Sequence, residues 1–341
     1  MNNNILLELN NLQKHFPVQE GMFRRTVGVL KAVDDVSLFV RRGETLGLVG
    51  ESGCGKTTLG KMIVRLHKPT AGSMNYSFEN EGPKDLLALS KEESFRAHRL
   101  IQMVFQDPYS SLNPVKTIFA AFDEPMRVHG IGNAEARRQR TADLLQAVNL
   151  RPEYMYRYPH EFSGGQLQRI SIARALCVKP ELVVCDEPVS ALDVSIQAQV
   201  LNLMKDLQRQ MNLTYVFIAH DLSVVEYMSD RIAVMYLGKI VELASAADLY
   251  GRYRHPYTRA LLSAVPIPQI GEKKRRVILE GDVPSPIHPP KGCRFHTRCK
   301  FSQERCAQEE PALAPYTPHQ DHWVACHFAD TLHQADDWVI Q

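Results

Sequence analysis

Gly50-Glu51-Ser52-Gly53-Cys54-Gly55-Lys56-Thr57 is the stretch that decides the fold. It closes the apolar run LGLVG and opens KTTLGKMIVRL, whose apolar positions recur at helical spacing, so the chain passes from strand to helix across a glycine-rich turn. The octapeptide meets G-x-x-x-x-G-K-[ST] at every fixed position. Glycines let successive backbone N–H groups curl around phosphate oxygens, and the helix that follows turns its positive end toward them. In this pattern Lys56 reaches the terminal phosphates, the Thr57 hydroxyl can ligand Mg²⁺, Thr58 extends the set, and Cys54 offers only backbone.

Working outward, residues 5–50 alternate short apolar and polar runs (ILLELNNL, LKAVDDVSLFV, ETLGLVG), a β-rich start. Residues 91–180 hold charged segments of helical period, such as AEARRQRTADLLQAVNL, broken by Pro108, Pro114, Pro125 and Pro159, which predicts a helical subdomain inserted between two parts of a sheet. Then ELVVCDEP, QVLNLMKDLQRQM, YVFIAHD and RIAVMYLGKIVEL alternate strand with helix and end in a hairpin, the pattern of an α/β fold with a mainly parallel sheet covered on both faces. Beyond about residue 265 the composition turns to proline and basic residues, a linker before a small cysteine-bearing tail.

The 341 residues carry 40 Lys and Arg against 38 Asp and Glu, so no global charge excess argues for nucleic acid or an acidic bilayer. The basic run KKRR (residues 273–276) lacks interleaved aromatics and reads as solvated linker, so no nucleic-acid partner is expected. No stretch approaches the roughly 20 apolar residues of a spanning helix. The beginning, MNNNILLELNNL, has no basic lead or small-residue cleavage site, so a cytosolic protein is expected.

Four apolar residues and two carboxylates, Leu182-Val183-Val184-Cys185-Asp186-Glu187, put acids at the end of a buried strand, where such sheets bind ligands. There Asp186 can hold Mg²⁺ through water and Glu187 can polarise a water attacking a γ-phosphate. Ser163-Gly164-Gly165-Gln166 opens a helix and has the physics of a second anion site, although alone it would be an ordinary N-cap. Phosphate loop, SGGQ, Asp-Glu strand, SALD (Ser190 to Asp193) and His220 after YVFIA follow one another in that order. That series resembles the ATP-binding subunit of an ABC transporter, over residues 5–250.

The resemblance implies a P-loop NTPase (ABC ATPase) core with an N-terminal antiparallel β subdomain, and two subunits facing head to tail. Each ATP would lie between one subunit's phosphate loop and the other's Ser163, Gly164, Gly165 and Gln166, with Asp193 bridging the dimer. Gln106, in VFQDP, would sense Mg²⁺ and the γ-phosphate, so that Thr57, Gln106 and Asp186 form the Mg²⁺ set; His220 would contact the γ-phosphate. Phe16 would stack on adenine, with Phe23 as a competing candidate.

The tail narrows the resemblance. HPYTRALL (residues 255–262), GDVPSPIHPPKGC and FQDPYSSLNP look like the ATPase subunits of dipeptide and oligopeptide importers, with nickel and glutathione importers as close relatives. Cys293, Cys299, Cys306 and Cys326 can supply the four thiolates of a [4Fe–4S] cluster or a Cys₄ zinc site, and the importer resemblance favours the cluster. Cys177 and Cys185 read as core residues. The expected organisation is a cassette over 5–250, a family-specific linker over 251–290 and a metal-binding region over 291–330.

The implied assembly is a peripheral protein on the cytoplasmic face of the inner membrane. It contains a second ATPase subunit, usually a different chain, two transmembrane permease subunits and an extracytoplasmic solute-binding protein. Two rivals are set aside. A soluble ABC ATPase of translation or DNA repair usually carries two cassettes or a long coiled coil, and a non-hydrolysing cassette would not keep Asp186, Glu187 and His220 together.

Overall fold

The computed structural model describes residues 4–21, 25–265, 277–316 and 319–332. Phe23 and the KKRR run lie outside the described residues. Two long strands, β1 (Ile5–Glu20) and β2 (Arg25–Arg41), pair antiparallel and bring Phe16 opposite Leu30. The short strand β3 (Thr45–Val49) leads through the glycine-rich loop into α1 (Lys56–Ile63). Strands β4 (Ala71–Phe78) and β5 (Gly82–Asp85) complete a four-stranded antiparallel sheet of order β2-β1-β4-β5.

Ser90 caps α2 (Lys91–Leu100) with a reciprocal Glu93 hydrogen bond, and the chain continues straight into β6 (Ile101–Val104). The helical span expected over residues 91–180 is therefore interrupted, because β6 pairs parallel with a later strand and belongs to the main sheet. The inserted helices are α3 (Pro108–Ser111), α4 (Ile118–Val128), α5 (Ala134–Ala147) and α6 (Gly164–Leu176). Next come β7 (Leu182–Asp186), α7 (Val194–Met211), β8 (Thr214–Ile218), α8 (Leu222–Met228), β9 (Arg231–Tyr236) and β10 (Lys239–Ser245). Helices α9 (Ala246–Arg252) and α10 (Pro256–Ser263) precede the tail, which holds α11 (Glu304–Gln308), β11 (Ala314–Tyr316), β12 (His319–Val324) and α12 (Ala329–Leu332).

The main sheet has the order β11-β12-β10-β9-β3-β8-β7-β6, parallel from β9 to β6 and antiparallel toward β11. Every residue of β3, β7 and β8 is buried, as expected where both faces are covered. Alternate side chains divide between two cores. Leu46, Leu48, Val184 and Ile218 pack with Leu59 and Met62 of α1 and with Leu7, Val36 and Tyr76 of the antiparallel sheet. Val183, Cys185 and Phe217 face the other way, toward Phe122, Leu167 and Ile170 of the inserted helices and Met204 and Leu207 of α7. Cys177 and Cys185 are both fully buried, as read from the sequence.

The tail does not hang beyond a linker. Strand β12 pairs with β10 through Glu242↔Val324 and Leu243↔Trp323, so the tail extends the cassette's sheet. Arg294 adds a buried ion pair to Asp34 of β2 and a hydrogen bond to the Leu237 carbonyl. Among the described residues no helix is long and apolar enough to cross a membrane.

Candidate active site

The loop between β3 and α1 is a tight backbone cradle. Gly50 (φ 152°) and Gly55 (φ 111°) lie where a Cβ would fall 2.1 Å from the Met235 carbonyl and 2.0 Å from that of Ala32, so no side chain fits at either position. Lys56 is 5% exposed and donates to the Gly50 carbonyl (2.7 Å) and the Glu51 carbonyl (3.1 Å), which curls its ammonium into the loop. Cys54 is buried, and its carbonyl accepts from Gly238 N–H at 2.9 Å.

At the mouth of the cradle the Thr57 hydroxyl donates to Asp186 Oδ1 (2.9 Å). Burial pushes the Asp186 carboxyl above its ordinary value, the Thr57 hydrogen bond opposes this, and the adjacent Glu187 charge adds to it. A buried carboxylate beside a hydroxyl, with a second acid next in sequence, is a hard oxygen donor set of the kind Mg²⁺ takes, and a bound cation would relieve the desolvation. These residues therefore fit the ion.

Glu187 sits at the end of β7 with a left-handed backbone (φ 46°), its N–H tied to the Ile218 carbonyl at 2.9 Å. Its Oε2 accepts from Gln106 Nε2 at 3.0 Å and lies 3.2 Å from His220 Nδ1. Three residues drawn from β6, β7 and β8 ends, far apart in sequence, thus meet on one oxygen. A cavity of about 410 Å³ joins them to the loop; Phe16, Leu30, Ala32, Ser52, Gly53, Gly55, Lys56, Thr57, Thr58, Gln106, Glu187 and His220 line it. Phe16 enters because β1 and β2 carry it past the loop, with Lys14 Nζ 4.9 Å from its ring.

Ser163, Gly164, Gly165, Gln166 and Asp193 are not among the residues lining that cavity. They lie at the starts of α6 and α7, which pack together. Ser163 caps α6 and exchanges hydrogen bonds with Gln166 (3.0 and 3.4 Å), and Gly165 packs so closely that a Cβ would come 2.8 Å from Ile196 Cγ2 of α7. Asp193 precedes α7 as its N-cap, exposed and without a side-chain cap hydrogen bond.

The expected metal centre is corrected. Cys293, Cys299, Cys306 and Cys326 do converge on one small cavity of about 20 Å³, walled by Phe295, Phe301, Phe328 and Leu332. Among the described residues, however, no group of three or more His, Cys, Asp or Glu side chains is disposed to hold a metal ion. Burial pushes three of the thiols up, Cys293 to about 11 and Cys299 and Cys326 to about 12. All four line the pocket beside aromatic rings. With no such donor group among the described residues, the expected iron–sulfur cluster and its zinc alternative are withdrawn.

Sequence reasoning missed Tyr257 and Arg298, both in contact with the phosphate loop. The Tyr257 hydroxyl accepts from Glu51 N–H at 2.8 Å, and Arg298 grips both Glu51 carboxylate oxygens at 2.8 and 3.2 Å. No local motif marks either, since each lies more than 200 positions from its partner.

Comparison with known proteins agrees with this geometry. Residues 33–190 match the ABC transporter family, and residues 241–306 match the oligopeptide/dipeptide transporter C-terminal region. The chain is 51% identical over 329 residues to the oligopeptide transport ATP-binding protein AppF of Bacillus subtilis (strain 168), covering 96% of this chain and 98% of that one. No iron–sulfur group is named in that relative. Among solved structures it is similar to the ATP-binding cassette MJ0796 in a dimeric post-hydrolysis state bound to ADP and Pi, with TM-score 0.60 and 28% identity over 71% of this chain and 99% of that one. A second dimeric structure of MJ0796, a bacterial ABC transporter cassette, matches with TM-score 0.60 and 27% identity over the same shares.

Proposed function

The chain belongs to the ATP-binding subunits of ABC transporters, in the branch that powers oligopeptide and dipeptide import, and on that premise we propose how its residues divide the work of ATP hydrolysis. It is an ATPase that uses ATP and Mg²⁺, and it works with a second ATPase subunit and membrane permeases. The cavity that gathers the phosphate loop, Gln106, Glu187 and His220 carries the reading.

In this reading the loop amides and Lys56 hold the β- and γ-phosphates, and Phe16 packs against the base. Thr57, Asp186 and Gln106 hold Mg²⁺, whose charge offsets that of the phosphates. Glu187 orients and polarises the attacking water. Gln106 and His220 keep its carboxylate aimed, and His220 contacts the γ-phosphate. Ser163, Gly164, Gly165, Gln166 and Asp193 serve the ATP on the partner's loop. What supports this is that they lie apart from the chain's own cavity, at the starts of two packed helices where Ser163 and Asp193 are exposed, as a head-to-tail dimer needs.

We assign residues 5–250 to the cassette, 251–290 to a connecting region and 291–330 to a tail that covers the cassette edge. The assembly would include a different second ATPase chain and an extracytoplasmic solute-binding protein, with this chain held at the cytoplasmic face of the membrane by its permease partners. The test is uptake of a labelled oligopeptide by cells lacking this chain and complemented with it. Uptake restored by the native chain and not by Lys56→Ala is expected; restoration of nickel or glutathione uptake instead would reassign the cargo.

A further inference from the structure

Glu51 is an awkward residue for a loop that cradles phosphates, because its carboxylate places a negative charge beside a polyanion. The structure resolves the conflict with the tail. Arg298, in a short turn (His296–Arg298) between Cys293 and Cys299, is only 7% exposed and meets both Glu51 oxygens with its two terminal nitrogens. Such a bidentate pair fixes orientation as well as charge. The Arg298 guanidinium also reaches the Tyr236 hydroxyl at 3.4 Å.

The Glu51 amide is held from the same side. Its N–H donates to Tyr257, whose ring is fully buried against Tyr236 (4.6 Å) and Phe295 of the tail (5.3 Å). A third path runs through Arg294, which binds the Leu237 carbonyl, while the next residue, Gly238, donates its N–H to the Cys54 carbonyl of the loop. Thus the tail touches the loop's acidic side chain directly and supports two of its backbone groups through one intermediary each.

We propose that Arg298 is a positioning residue for ATP: by neutralising and orienting Glu51 it sets the phosphate loop for the triphosphate, so that tail docking and nucleotide binding are coupled. This rests on the reading of the loop as the ATP phosphate site. Coupling of this kind is reciprocal, so bound ATP must strengthen the tail's attachment by the same factor that the attached tail strengthens ATP binding.

The experiment is a double-variant cycle on the full chain, with MgATP affinity and the KM and kcat of the assembled transporter as readouts. Arg298→Met should weaken MgATP binding and raise KM ~10-fold, about the weight of one charge-assisted contact, while kcat at saturating ATP stays within ~2-fold because Glu187 and His220 are untouched. Adding Glu51→Gln should restore most of the affinity, since the unpaired carboxylate is gone. A role confined to folding the tail would not be rescued this way. ATP should also slow proteolysis of the native tail, and less so in Arg298→Met.

If Arg298→Met does not fold, Arg298→Lys, which keeps the charge and loses the fork, carries the same cycle with a smaller loss. Unchanged affinity in Arg298→Met, or a loss equal with and without Glu51→Gln, overturns the proposal. The control is Lys56→Ala: if it too leaves affinity unchanged, the ATP-site reading fails, and if it alone weakens binding, only the role of Arg298 fails.

Discussion

Lys56 satisfies its ammonium on two carbonyls of its own loop, Gly50 and Glu51, which in the proposed reading ATP exchanges for phosphate oxygens. A hydrogen bond to a charged group is worth about 1.5–3 kcal/mol, so Lys56→Ala should lower MgATP affinity by roughly 10- to 100-fold. Calorimetric titration of the purified chain checks this, and unchanged affinity would place the phosphates elsewhere. The residues of this loop were legible because each performs a local task at fixed spacing. Glu187 was legible as an acid at the end of a buried strand, Gln106 and His220 only through the resemblance to ABC ATPases, and the meeting of the three on one carboxylate oxygen came with the fold. Arg298 was not legible at all, because its role exists only once a tail residue is brought 247 positions back to Glu51. The cysteines show the opposite failure. Four thiols in one tail suggested a cluster, whereas the fold sets them around a small apolar pocket in which, among the described residues, no group able to hold a metal ion forms.

At the scale of elements, the start of α6 and the start of α7 form one surface, because Gly165 admits Ile196 against its backbone. Gly164 has open space where a Cβ would stand, so Gly164→Asp tests the surface without a clash of its own, whereas Gly165→Asp would confound the two. The variant should bind ATP at its own loop with native affinity and fail to close on a partner, since a carboxylate against another subunit's γ-phosphate costs several kcal/mol. ATP-dependent dimerisation measured by light scattering decides it; loss of ATP binding in the isolated chain would contradict the trans reading. Helix α10 carries a pH dependence. His255 caps it by accepting from Tyr257 N–H through an unprotonated Nδ1, and burial holds the ring down to about 4, opposed only by the Glu242 charge. Because the folded ring binds protons less readily than the unfolded one, its contribution is intact above about pH 6.5 and is lost as pH falls toward 4. Denaturant midpoints between pH 7 and 5 should therefore decline, and His255→Gln should flatten that decline. Periodicity had revealed the helices and buried strands, but not that β6 belongs to the sheet: four residues directly after a helix leave too short a pattern to separate from it.

For the whole molecule, the two-sided sheet is what brings the strand ends, the loop and the antiparallel sheet to one cavity, and the tail closes the far edge by adding β12 and β11. Alternating apolar runs had made the parallel sheet readable, while the tail's docking depended on contacts with no sequence period, such as Arg294 with Asp34. The central claim is that ATP held in this cavity is hydrolysed by a water that Glu187 polarises, and that hydrolysis resets the closed assembly. The most direct measurement is nucleotide occupancy and turnover of the membrane-reconstituted transporter carrying Glu187→Gln. The amide still fills the site and hydrogen-bonds Gln106 but cannot polarise the water, so turnover should fall by at least ~100-fold, within the range expected for losing a general base, while ATP stays bound and unhydrolysed. Near-native turnover by Glu187→Gln, or loss of ATP binding with native folding, would contradict the account.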